Sequence, residues 1–104
     1  VLDTGYPGKL APYQFHGSAY GMVPAAQGYL RAAGEWNYQE VTVKGATIKV
    51  ELNGSIILNT DLSKVTDAKT VKAHPGKDLA KGHFGFAGHN DPVMFRNIEI
   101  KRLD

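Results

Sequence analysis

The chain has 104 residues, which bounds it to one domain, residues 1–104, with one modest core. Apolar residues make up 42% and charged residues 21%, the balance of an ordinary globular protein. A formal charge of +2 is too near neutrality to argue for nucleic acid or an anionic membrane as partner. The absence of cysteine excludes disulfide frameworks, thiolate metal sites and cysteine nucleophiles.

In chain order, Leu2 reads as the tail of a strand, and Gly5-Tyr6-Pro7-Gly8 and Ala11-Pro12 as loop. Residues 18–23 read as a strand ended by Val23-Pro24, because proline cannot donate to a ladder. Gly34-Glu35-Trp36-Asn37 leads into the clearest stretch, with Trp36 the expected large core anchor. There Val41 and Val43 alternate with Thr42 and Lys44, and Lys44-Gly45-Ala46 turns the chain. Ile48, Val50 and Leu52 alternate with Lys49 and Glu51 before Asn53-Gly54, a strong hairpin signal. Residues 55–58 return as a third strand, so the stretch predicts a meander with one buried face.

From 61 to 82 the periodicity fades. Asp61 is placed to cap a short helical turn over 62–65, and the rest, with Lys64, Lys69, Lys72, Lys77 and Lys81, reads as a solvated excursion. Residues 82–87 resume as a strand with Phe84 and Phe86 on one face, and Gly88-His89-Asn90-Asp91-Pro92 is a turn. A last strand is expected over 93–101. Its alternation changes phase near Arg96-Asn97, where a bulge or twist would swap the buried face.

No phosphate loop, nucleophile elbow or His-Glu-x-x-His helix occurs, which leaves the four histidines and a few carboxylates. His89 lies in a turn between two expected strands, where a scaffold presents functional groups, or where a plain surface turn sits. His16 lies among aromatics in Tyr13-Gln14-Phe15-His16-Gly17-Ser18, suited to face a sugar ring or to bond its own backbone. His83 is expected at the surface and His74 inert in the lysine-rich loop. Glu35 and Asp91 are candidate acids, bases or metal ligands whose plainer role is a turn. Arg96 is an oxygen-binding fork or a salt-bridge partner, and Asn97 a tie to backbone at the bulge.

Three blocks taken together, His16-Gly17-Ser18-Ala19-Tyr20-Gly21, then Gly34-Glu35-Trp36-Asn37 with Leu52-Asn53-Gly54, and finally residues 88–100, GHNDPVMFRNIEI, resemble the 3-keto-disaccharide hydrolase family. The resemblance implies an all-β fold, an antiparallel β-sandwich of concanavalin-like jelly-roll type. It also implies that strands precede Val1, so that the chain is the C-terminal portion of a larger domain. Such a portion is expected to form a homodimer, swap strands or pair with the N-terminal segment.

The implied activity is that of a carbohydrate-active hydrolase on 3-keto-glycosides, periplasmic or secreted in a bacterium. In such a sugar the C3 carbonyl acidifies the C2 proton, a base removes it, and the enolate expels the C1 substituent before water adds. That route needs a base near C2 and an electrophile at the enolate oxygen, and a divalent metal would serve as the second. His89 is the expected base or ligand and His16 its partner, with Arg96 and Asp91 on sugar hydroxyls and Tyr20 or Tyr13 as a stacking surface. The competing expectations are a non-catalytic carbohydrate-binding sandwich and a structural module.

Overall fold

The computed structural model describes residues 8–88 and 90–103. Its organising element is a three-stranded antiparallel sheet of β1 (Gln39–Lys44), β2 (Thr47–Leu52) and β3 (Ser55–Asp61) in sequential order. The meander expected from the alternation is therefore formed. Its second turn follows from Asn53 and Gly54, whose φ angles of 52° and 86° both lie in the left-handed region a tight hairpin needs.

Register decides which side chains share a face. Val41 stands opposite Val50 and Val43 opposite Ile48, while Thr42 faces Lys49 and Lys44 faces Thr47. A register shift between Val50 and Glu51 inserts one extra residue in β3, so that Ile57 and Leu58 are both buried although adjacent. Leu52, 2% exposed, and Val50, 4% exposed, form the centre with Ile57, Leu58, Leu62, Ala19 and Ala25. Full burial of one such aliphatic side chain contributes about 1.5–3 kcal/mol. Met22, Val23, Leu30, Ile48 and Val65 pack around this cluster.

The cover over the sheet is irregular chain. Residues 18–23, expected as a strand, form a tight turn with one antiparallel bridge between Ala19 and Val23. The Ala19 carbonyl accepts from both Met22 N (2.8 Å) and Val23 N (2.9 Å), and Gly21 at φ 74° reverses the chain. A reversal inside six residues leaves no run long enough to pair. The next segment lies along β3, where Ala26 N donates to the Ile57 carbonyl at 2.8 Å.

After β3 the chain enters a 3₁₀ turn, Leu62–Lys64, whose start Asp61 caps by accepting from Ser63 N at 2.9 Å, as its position implied. Helix α1 (Ala68–Ala73) is capped by Asp67 through Thr70 N. Lys64, Lys69, Lys72 and Lys81 are exposed, as the solvated reading expects, and Lys77 alone of the five departs from it. The Lys77 side chain is only 5% exposed and donates to the Leu62 carbonyl (3.3 Å) and to Asp78 (2.7 Å). A lysine stem covers apolar surface well when its ammonium finds oxygen partners.

The strands expected over 82–87 and 93–101 are not formed, because the described residues there have no ladder partner. They are tied by rings instead: Phe84 meets Phe86 edge-on at 5.2 Å, and Phe86 stacks on Phe95 at 4.0 Å. The expected phase change coincides with Asn97, whose φ is 51°. Trp36, expected as a core anchor, is 38% exposed and lies beneath the Arg96 guanidinium, 4.0 Å from the ring centroid. A cation over the ring's negative face accounts for its surface position.

Candidate functional site

The turn-rich segment ahead of the meander carries the candidate site. Its 3₁₀ turn, Pro12–Gln14, is closed by Gln14 N on the Ala11 carbonyl and by Ala11 N on Gln14 Oε1. The same Gln14 donates Nε2–H to the Tyr20 hydroxyl at 3.0 Å. That oxygen acts as acceptor in this bond, so the hydroxyl proton is directed elsewhere. The Tyr13 carbonyl accepts from Gly21 N at 3.2 Å, which brings both tyrosines onto one knot of chain. Tyr13 and Tyr20 are both exposed.

His16 is held at the rim of the sheet. Its Nε2 lies 2.5 Å from Gln39 Oε1, and a carbonyl oxygen only accepts, so Nε2 is the protonated nitrogen. Gly17 fixes the next residue on the apolar face: a Cβ there would stand 2.4 Å from Ile57 Cδ1 and 3.6 Å from Val50 Cγ1. Packing of Gly17 thus sets how His16 reaches β1.

His74, expected to be inert, braces the same knot. Its Nδ1 donates to the Thr70 carbonyl at 2.8 Å, and its Nε2 side packs where a Cβ on Gly21 would lie 2.7 Å away. Helix α1 is thereby docked beside Tyr20. The sequence offered no signal for this contact, nor for Gln39, because both depend on which segments cross in space.

The remaining candidates are elsewhere. The Arg96 guanidinium lies over the Trp36 ring. Asp91 and His83 are exposed, and Glu35 is a turn residue whose Oε2 accepts from Ala32 N at 3.0 Å. His89 lies outside the described residues. Of the expected site residues, His16, Tyr13 and Tyr20 therefore share one segment, and Arg96 and Asp91 belong to another.

The carboxylates with displaced acidity are caps. Asp61 is held below its ordinary value by the Ser63 hydroxyl and then the Ser63 amide. Asp67 is held low by the Thr70 amide and then its hydroxyl. Among the described residues no three histidine or carboxylate groups gather as metal ligands. The described residues do not by themselves assemble a metal centre.

A small antiparallel sheet with an aromatic, histidine-bearing segment laid across its rim defines the class of structure. The chain belongs to the 3-keto-alpha-glucoside-1,2-lyase-like domain family, whose model matches residues 2–101. It is 32% identical over 103 aligned residues to a 3-keto-disaccharide hydrolase of Bacteroides thetaiotaomicron. That match covers 84% of this chain and 36% of the relative, so the chain spans little more than a third of the curated protein's length. No solved structure matches at comparable significance.

Proposed function

We propose that this chain acts on a glycoside already oxidised at C3, within a jelly-roll β-sandwich. A base takes the C2 proton, and the C–H electron pair becomes the C2–C3 double bond of an enolate. The enolate returns its pair to expel the C1 oxygen, which leaves with a proton from an acid. Water then adds at C1 as a proton returns to C2, so the net change is hydrolysis.

The observation that carries this reading is the His16–Gln39 contact, made by the segment that also bears the two tyrosines. His16, held against Gln39, is assigned as the base for proton transfer at C2. Tyr20, already accepting from Gln14, is suited to donate its own proton to the oxygen that develops charge at C3. His89 is assigned as the second acid–base group, Tyr13 as a stacking surface, and Arg96 and Asp91 as contacts to sugar hydroxyls. Family membership supports the substrate class.

The test is turnover of a 3-keto-glycoside, read as release of the C1 substituent, with and without chelator. H16A and Y20F are expected to lower kcat by about a hundredfold or more, the usual contribution of a positioned acid or base. Sugar binding without turnover by the parent chain would refute catalysis and leave a carbohydrate-binding module. Turnover unchanged in H16A and in H89A would refute the site.

A further inference from the structure

Among the described residues β1 lies at one margin of the sheet, and the two margins are unequal in cover. The opposite margin, β3, is flanked by Ala26, which donates to the Ile57 carbonyl. Val41 and Val43 share the apolar face with Val50 and Ile48, yet they are 51% and 58% exposed. A sheet-edge strand with an exposed apolar face is a template for another strand. This one carries its charges at the two ends, Glu40 and Lys44, with Thr42 midway.

That spacing is self-complementary. In an antiparallel pair of two β1 strands, cross-strand partners point to the same face. Registers that keep the valine faces together must pair residues of like parity. Centring the pair on Thr42 sets Val41 opposite the second copy's Val43, and Glu40 opposite the second copy's Lys44, twice over. Centring on Val41 or Val43 instead leaves one valine opposite Gln39 or Gly45 and separates the charges.

We infer that β1 is a homodimerisation edge, where two copies join antiparallel about a two-fold axis through Thr42 into one continuous six-stranded sheet. The contact is isologous and closes on itself, so it stops at two copies. Six residues at about 3.4 Å each give a contact of about 20 Å, short enough that association depends on concentration. The inference does not depend on the proposed activity.

The test is sedimentation equilibrium of the chain over a concentration series. E40K or K44E sets like charges opposite each other at both ends, and each is expected to raise the dimer dissociation constant about tenfold. The double variant E40K/K44E restores both pairs and is expected to return the constant to near the parent value. The chain has no cysteine, so T42C reports the axis directly: mild oxidation should cross-link it faster than V41C or V43C. Circular dichroism checks that each variant keeps the parent's sheet. A parent monomeric throughout, single swaps without effect, a double variant that fails to recover, or faster cross-linking at position 41 or 43 would each overturn the inference.

Discussion

Replacing Asn53 tests how the second hairpin is held. Its amide makes three bonds: Oδ1 accepts from Tyr38 N (2.9 Å), and Nδ2 donates to the Tyr29 carbonyl (2.8 Å) and to Asn37 Oδ1 (2.9 Å). Its φ of 52° is a conformation that alanine adopts at a cost. The bonds are exposed or only partly buried, so each contributes about 0.5 kcal/mol, the low end for a hydrogen bond. The left-handed backbone adds about 1 kcal/mol when the residue is alanine. Asn53→Ala is therefore expected to destabilise by about 2.5 kcal/mol and Asn53→Gly by about 1.5 kcal/mol, since glycine loses the bonds without the strain. In a domain of this size the alanine variant lowers Tm by about 10–20 °C. Urea unfolding of the three proteins, fitted with a common slope, gives both differences. A loss below about 0.5 kcal/mol in Asn53→Ala would refute the role of the amide. Equal losses in the two variants would refute the backbone argument.

The packing of Gly17 gives a second prediction. Gly17→Ala combines φ 82° with an approach of 2.4 Å to Ile57 Cδ1. It is expected to cost about 1–3 kcal/mol and to lower kcat as His16 shifts from Gln39, a change read by urea unfolding and kinetics on the same sample. The caps give a third. Asp61 and Asp67 both have folded values below the ordinary 3.8, so the unfolded chain binds their protons first as pH falls. Their stabilisation is complete above the unfolded value and disappears as pH falls through the lowered folded values. Thermal melts between pH 6 and 2 should therefore fall less steeply in D61N/D67N than in the parent, whereas parallel curves would refute the linkage.

Local chemistry made much of the meander readable. Alternation at Val41, Val43, Ile48, Val50 and Leu52 specifies one face, and Asn53-Gly54 specifies a turn with positive φ. Asp61 was legible as a cap because capping involves only the next few residues. The family was legible as well, since its three blocks are strings of residues that need no coordinates.

Where the outcome depends on which segments meet, the sequence was silent or misleading. Phe84, Phe86 and Phe95 alternate like strand residues, but a strand also needs a ladder partner, and ring stacking took its place. Trp36 has the size of a core anchor, yet Arg96 holds it at the surface. Lys77 reads as solvated until the Leu62 carbonyl and Asp78 are found at its ammonium. His16 was a candidate from its aromatic neighbours, but its partner Gln39 lies 23 residues away and meets it only through the fold. The sequence by itself determined the period, the turns and the caps, because these are settled within a few residues. The tertiary structure decided which faces are covered and which polar groups meet, because burial and hydrogen bonding are properties of neighbours in space.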